Sequence, residues 1–461
     1  MTHIHFIGIG GAGLSAIARV LLERGFTVSG SDRQQSPLTD RLQQAGAQVH
    51  IGHDPSAVEG ADVVLRSSAV PDDNAEVVAA QEAGIPVLKR ADYLADLLQD
   101  LTLIAIAGSH GKTTTTAMIA WLLSELGLDP GFIVGGEVSD LGTNAGAGSP
   151  PYFVIEADEY DYMFWGLQPH LAVVTNIEHD HPDCFPTPQD FYQAFVGFID
   201  RITPQGALIA CLDDPVTAQL ILHARNKDIP ALTYSLEHAR ADYHAAKLQP
   251  QAGAGFAFTL FRQQQPLLDC KLLVPGRHNV LNALAALAVI DQLGLDLDKA
   301  ASVLAEFRGA GRRFDILGQA GDVTIIDDYG HHPSQIKTTL EAASYYYPGA
   351  RLWAVWQPHT YSRTLQMLDA FAVSFAAADQ VLVTEVYPAR ESQPDDFSQE
   401  QVAEAIQHDS VNYSGNLANT TEQLLQQVQP GDVVIVFSAG DATQVSAGLL
   451  AGLQSKEEQH A

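Results

Sequence analysis

Residues Ile104–Thr116 read Ile-Ala-Ile-Ala-Gly-Ser-His-Gly-Lys-Thr-Thr-Thr-Thr. An apolar strand enters a glycine turn, then a lysine, then a threonine run that opens a helix. Glycines let backbone N–H groups approach a polyphosphate, a lysine adds a point charge, and a helix N-terminus adds its dipole. A threonine hydroxyl in such a loop reaches a magnesium ion. Gly108, Ser109, His110, Gly111, Lys112, Thr113 and Thr114 are therefore the candidate nucleotide-phosphate residues. The usual pattern has a glycine five places before Gly111, where this chain has Ile106; Gly108 lies only three before it. The loop is a shortened variant.

Other strand ends supply acids and histidines. The apolar run Tyr152–Ile155 delivers Glu156-Ala157-Asp158-Glu159. A carboxylate there is costly unless it meets a cation, and magnesium takes oxygen ligands in octahedral geometry. Asp158 and Glu159 read equally well as loop acids. Leu171–Thr175 leads into Asn176-Ile177-Glu178-His179-Asp180-His181. A zinc site would need more Cys or His at set spacings nearby, and none is there. One histidine completing a magnesium shell or touching phosphate fits better, His181 ahead of His179. In Pro275-Gly276-Arg277-His278-Asn279-Val280-Leu281-Asn282, Asn279 either caps the apolar helix that follows or reads an adenine edge. Arg313, in Arg312-Arg313-Phe314, is either a surface charge or a guanidinium that meets a γ-phosphate when domains close. Asp327-Asp328-Tyr329-Gly330-His331-His332-Pro333 and Gln357-Pro358-His359-Thr360-Tyr361-Ser362-Arg363 put histidines, a tyrosine and an arginine on two strand tips. Helix capping accounts for Asp328 and Ser362, but not for the whole set.

The elements that must hold these residues fall into three α/β domains. The first, residues 1–100, opens with strand Ile4–Ile9 and a turn containing Gly8, Gly10, Gly11, Ala12 and Gly13, followed by an apolar helix and a strand ending in Asp32. Gly8, Gly10, Gly13 and the later acid fit the dinucleotide spacing. A nucleotide-linked substrate would use the same physics without a hydride donor. Ser67, Ser68 and Ala69 follow a later strand and either join that edge or serve a turn. Further strands are expected at Gln48–Gly52, Asp62–Ser68 and Pro86–Leu88. The second domain, residues 101–313, carries the phosphate loop and a helix Thr113–Leu126, stopped by Gly127 and Pro130. Strand-like alternation from Ala231 to Pro275 suggests an antiparallel insertion. The third, residues 314–461, has strands at Val323–Asp327, Leu352–Trp356, Gln380–Thr384 and Val433–Phe437, with helices between and a frayed polar tail, Ser455–Ala461. The fold class is α/β: a Rossmann-like N-terminal domain, a central P-loop ATPase-type mixed domain and a C-terminal Rossmann-like domain.

Bulk properties bound the function. The chain has 461 residues, too many for one core. Its formal net charge is −30, from 55 acids against 25 basic residues. Such a surface repels nucleic acid and anionic membranes, so phosphate ligands must be held by local groups. No apolar run approaches the ~20 residues of a membrane span. Three scattered cysteines and no basic leader point to a reducing, cytoplasmic setting.

In order, the glycine turn, Gly-Ser-His-Gly-Lys-Thr, Glu-Ala-Asp-Glu, Asn-Ile-Glu-His-Asp-His, Pro-Gly-Arg-His-Asn, Arg-Arg-Phe, Asp-Asp-Tyr-Gly-His-His-Pro and Gln-Pro-His resemble the Mur ligases of bacterial cell-wall synthesis, over nearly the whole chain. Within that family the alanine-adding members are most similar. The resemblance implies an ADP-forming ligase that joins L-alanine to the carboxylate of UDP-N-acetylmuramate through an acyl phosphate, with ATP and magnesium (or manganese), as a monomer or weak homodimer. It implies that Gly10, Gly11, Ala12, Gly13, Asp32, Ser67, Ser68 and Ala69 hold the UDP-sugar. Lys112 would bind ATP phosphates, Thr113, Glu156 and His181 the metal, Asn279 adenine, and Arg313 and Asp328 the nucleotide. Tyr329, His331 and Arg363 would face the amino acid, with His331 a base or orienting group. Two departures bear on amino-acid choice: Thr360 stands where the family often has arginine, and Tyr160-Asp161-Tyr162 stands where the alanine enzyme usually has serine after the glutamate. Glu-Tyr-Asp is similar to the murein tripeptide recycling ligase. A dehydrogenase using NAD is the rival from another class, and it leaves the phosphate loop unused.

Overall fold

The computed structural model describes residues 2–182 and 184–460, so Asp183 and the tail's last residue, Ala461, lie outside it. The first sheet holds β1 (His3–Ile7), β2 (Thr27–Asp32), β3 (Gln48–Ile51), β4 (Val63–Arg66) and β5 (Val87–Lys89) in the order β3-β2-β1-β4-β5. All its pairings are parallel. The chain adds strands on one side of β1 and then, from β4, on the other. The crevice of such an open sheet lies at that reversal, over the carboxyl end of β1. The Gly8–Gly13 turn stands there.

The second sheet comprises β6 (Thr102–Ala107), β7 (Gly131–Val138), β8 (Thr143–Gly146), β9 (Tyr152–Glu156), β10 (Leu171–Val174), β11 (Ala207–Cys211), β12 (Ala231–Ser235), β13 (Tyr243–Pro250), β14 (Phe256–Arg262) and β15 (Gln265–Leu272). Its order is β15-β14-β13-β12-β11-β10-β6-β9-β7-β8. β6 lies between β9 and β10, parallel to both. The phosphate loop therefore leaves the sheet at a second switch point, with Glu156 ending one neighbour and Thr175 following the other. The expected antiparallel insertion begins later than Ala231, because β12 runs parallel to both β11 and β13. Between β14 and β15, Gln263 and Gln264 both have positive φ (48° and 65°), the geometry of a two-residue hairpin turn.

The third sheet is β16 (Asp315–Ala320), β17 (Val323–Asp328), β18 (Leu352–Trp356), β19 (Gln380–Thr384), β20 (Val411–Gly415) and β21 (Val433–Phe437), ordered β16-β17-β21-β18-β19-β20. It is parallel except for the antiparallel edge β16. Alternate residues serve opposite cores: Ile326, Ala354, Val383 and Ile435 on one face, and Ile325, Val355, Leu382 and Val434 on the other. That is why these strands read as unbroken apolar runs. The expected frayed tail is instead the last turns of a helix, Thr443–His460. Glu457 accepts from Gly321 N at 2.7 Å and Lys456 donates to Leu425 O at 2.6 Å, which ties that end down.

Contacts divide the chain into two compact units, Met1–Ala246 with Phe258–Cys270 and Leu281–Phe307, and Lys247–Ala257 with Lys271–Val280 and Arg308–Ala461. In the first unit one apolar core runs from Phe6, Ile17 and Leu21 to Phe153, Phe164 and Phe195. It joins the first two sheets.

Candidate active site

Both loop glycines are required by space. Gly108 has φ +133°, and a Cβ on it would sit 2.1 Å from Thr175 Oγ1; Gly111 has φ +85°, and a Cβ there would sit 2.6 Å from Asn282 Oδ1. The segment after β10 braces the loop from below. Ser109 N donates to Asn176 O at 2.9 Å, His110 N to Asn176 Oδ1 at 2.9 Å, and Thr175 Oγ1 to His110 O at 2.6 Å. Ser109 Oγ donates to Glu178 O at 2.7 Å, and His110 Nε2 lies 2.8 Å from Glu178 Oε2. The helix Lys112–Glu125 starts at Gly111 with no side-chain cap. Its first N–H groups are thus free of the hydroxyl or carboxylate that usually fills this position.

Lys112 is folded over its own loop. Its Nζ donates to Gly108 O at 2.5 Å and pairs with Glu159 Oε2 at 2.9 Å; Glu159 is only 2% exposed. Burial pulls the ammonium down, but Glu159, Glu156 and Asp158 outweigh it and hold the pKa above lysine's ordinary value. Thr113 Oγ1 donates to Glu156 Oε1 at 3.1 Å, and the other Glu156 oxygen accepts from Gly135 N at 2.7 Å. Thr114 is buried in the same first turn. His181 is on the Glu159 side, with Nε2 3.8 Å from Glu159 Oε1 and its ring edge-on to Tyr160 at 5.1 Å. His179 turns away, to Phe185 O at 2.8 Å and the Phe191 ring.

At the first sheet, Asp32 turns inward and accepts from Gly10 N at 2.8 Å, and Gly11 N donates to Gly8 O at 3.1 Å. The helix Ala12–Glu23 has Gly11 as its N-cap, again with no side-chain cap. A Cβ on Gly8 would touch Ser67, and a Cβ on Gly13 would lie 2.2 Å from Arg90 Nη1. Ser67 Oγ accepts from Ala69 N at 3.3 Å, while Ser68 Oγ donates to Asp161 Oδ2 at 2.8 Å.

The second unit gathers the remaining candidates. Asp328 is buried and accepts from Phe314 N and Gly330 N at 2.9 and 2.7 Å. Burial pushes its carboxyl up, against Arg313 and those N–H groups. Arg312 and Arg313 lie over the Tyr329 ring at 5.0 and 5.1 Å. His331 Nδ1 is 3.0 Å from Tyr329 O. A carbonyl only accepts, so Nδ1 carries a proton in this contact. The His331 ring lies 6.0 Å from His359, which Arg363 approaches at 3.4 Å. Asn279 does not cap its helix. It lies inside Arg277–Gln292 and donates to Pro275 O at 2.6 Å.

Residues 3–102 match the family described as "Mur ligase family, catalytic domain", residues 106–290 "Mur ligase middle domain", and residues 312–440 "Mur ligase, glutamate ligase domain". The UDP-N-acetylmuramate–L-alanine ligase of Roseiflexus sp. (strain RS-1) is 44% identical, over 96% of this chain and 97% of that protein. The chain belongs to the Mur ligase family. Among solved Mur ligases, UDP-N-acetylmuramate-alanine ligase MurC from Thermotoga maritima aligns with a TM-score of 0.85 and 28% identity, over 99% of this chain and 100% of that one. A murein peptide ligase from Psychrobacter arcticus 273-4 aligns with a TM-score of 0.72 and 26% identity, over 98% and 99%. In this Mur ligase the donor set beside Lys112 is a hydroxyl and carboxylates, the hard oxygen ligands that magnesium prefers. Sequence reasoning missed three members of the site. Glu159, which reads equally well as a loop acid, is the buried counter-ion of Lys112. Asn176 and Glu178 carry no signal of their own, yet they brace the loop.

Proposed function

We propose that this Mur ligase uses ATP to join L-alanine to the carboxylate of UDP-N-acetylmuramate, forming UDP-N-acetylmuramoyl-L-alanine, ADP and phosphate. The observation that carries this is the Lys112–Glu159 pair beside Thr113 and Glu156 at the mouth of an uncapped helix, in a chain 44% identical over its length to a ligase of that name. A carboxylate is a poor electrophile, and phosphorylating it creates a leaving group. Backbone N–H groups of Gly108–Thr114 hold the ATP phosphates, and Lys112 neutralises the charge that develops on the transferred group. Thr113, Glu156 and His181 would hold magnesium or manganese, which supplies charge neutralisation when bound. Gly10, Gly11, Ala12, Gly13, Asp32, Ser67, Ser68 and Ala69 hold the UDP-sugar. Asn279, Arg313 and Asp328 contact the nucleotide. Tyr329, His331 and Arg363 receive the amino acid, and His331 Nε2 takes or orients the amine proton. We assign these tasks to domains 1–100, 101–313 and 314–461, in a cytoplasmic monomer or weak homodimer.

Glu159-Tyr160-Asp161 favours a second reading, transfer of a ready-made murein tripeptide to the same sugar. Phosphate release with UDP-N-acetylmuramate, ATP and magnesium separates the two when L-alanine, glycine, L-serine and the tripeptide are compared. L-alanine is expected to give the highest kcat/KM. Release that needs no amine, or that prefers the tripeptide, rejects the first reading.

A further inference from the structure

Three donors stand together at the carboxyl edge of the first sheet. Ser68 follows β4, Lys89 ends β5, Arg90 starts the next helix, and β4 and β5 are neighbours. Arg90 is seated on the phosphate turn, since its Nη1 is the atom a Cβ on Gly13 would strike at 2.2 Å. All three are held by one acidic loop. Ser68 Oγ and Lys89 Nζ both donate to Asp161 Oδ2, at 2.8 and 2.9 Å, and Arg90 Nη2 donates to Asp158 Oδ2 at 2.7 Å. Two carboxylates thus meet two cations at the place where an anionic ligand needs those cations.

The loop is held in a costly shape. Asp161 and Tyr162 both lie in the left-handed region, with φ 52° and 53°, and neither is glycine. Such a backbone persists only where its side chains are over-determined. Asp161 is fixed by its two donors, and the Tyr162 ring by Trp165 and Phe185 at 4.5 and 5.1 Å. Asp158 is itself seated in this loop, its Oδ1 accepting from Tyr160 N at 3.1 Å.

We propose that Asp158 and Asp161 form an acidic latch on Ser68, Lys89 and Arg90, and that the diphosphate of the sugar nucleotide takes these donors over. The inference rests on the assignment of a UDP-sugar to the Gly8–Gly13 turn. The loop that carries Glu156 and Glu159 is the same loop, so occupancy at the first sheet alters the field at Lys112. By linkage, ATP and sugar nucleotide then change each other's affinity by one common factor. Asp161 and Asp158 act as positioning residues.

The test is calorimetric titration of the full chain with UDP-N-acetylmuramate, UDP and ATP separately, alongside steady-state kinetics. Asp161→Asn keeps the size of the side chain, and asparagine tolerates the left-handed backbone. It is expected to bind UDP-N-acetylmuramate and UDP about 2- to 5-fold more tightly, the range of one partly exposed ion pair. The KM for the sugar nucleotide falls with it, while kcat does not rise. Asp158→Asn shifts affinity in the same direction, and Lys89→Met weakens both uridine ligands. Equal or weaker binding of the uridine ligands by folded Asp161→Asn and Asp158→Asn overturns the latch alone. A wild-type chain that binds neither uridine ligand overturns both the latch and the sugar-nucleotide assignment.

Discussion

Lys112 and Glu159 are a buried pair whose members depend on each other. Removing only the ammonium strands a carboxylate that is 2% exposed, which costs about 3–5 kcal/mol. Removing both charges avoids that penalty. Lys112→Met is therefore expected to lose stability that Lys112→Met/Glu159→Gln largely regains, and urea melts of the four proteins in the cycle check it. Activity follows a different rule, because the double variant regains no charge for the phosphoryl group. Both variants should lose at least about a hundredfold in ATP-dependent phosphate release. A folded Lys112→Met variant within tenfold of wild type would remove the assigned role. The pH dependence has a definite sign. The folded pKa of Lys112 lies above its ordinary value, which is about 10.4. Its stabilising share is complete below that value and is lost as pH rises through the folded one. Alkaline melts of the wild type should therefore decline more steeply than those of Lys112→Met.

At the scale of elements, the phosphate loop is shaped by its neighbours as much as by its own glycines. Gly108→Ala would press a methyl group against Thr175 Oγ1 at 2.1 Å and Asn176 O at 3.0 Å, at a φ of +133°. The neighbour is backbone on one side, so the loop must move, at an expected cost of about 1–3 kcal/mol. ATP affinity measured by calorimetry should fall at least tenfold, while UDP binding at the first sheet stays as it was. The strands that end in motifs were legible in the amino-acid order because their apolar runs are buried on both faces. The edge strands of the third sheet were not. β16 carries exposed Ile316 and Leu317 on a bulged margin, and β20 is the other edge. Residues defined by distant partners were equally hidden. Glu76 reads as one more helical acid, yet it is buried and bonded to His5 at 3.1 Å and Ser31 at 2.6 Å, from two strands. Burial pushes its carboxyl up, but these bonds and Asp54 N more than reverse that and leave it low. Glu159 belongs to the same class. Nothing in Glu-Ala-Asp-Glu says which acid turns toward the lysine, because the answer depends on the strained turn that follows at Asp161.

For the whole molecule the controlling quantity is the net charge of −30. Both proposed nucleotide substrates are polyanions, so the long-range field opposes their approach, while Lys112, Lys89, Arg90, the proposed nucleotide contact Arg313 and the uncapped helix ends favour it at close range. The two effects separate by distance. Screening lengths fall from about 30 Å at 0.01 M salt to about 10 Å at 0.1 M. Added salt therefore removes the distant repulsion first and leaves contacts inside the turns nearly intact. Most enzymes that capture anions through a basic surface slow down as salt rises. This one is expected to do the opposite: kcat/KM for UDP-N-acetylmuramate should rise on the order of twofold from 10 to 150 mM salt at fixed free magnesium. The kcat at saturation should stay flat, since repulsion acts on encounter and not on the bound state. A steady fall in kcat/KM over that range would mean that the local cations, and not the acidic surface, set the rate of capture.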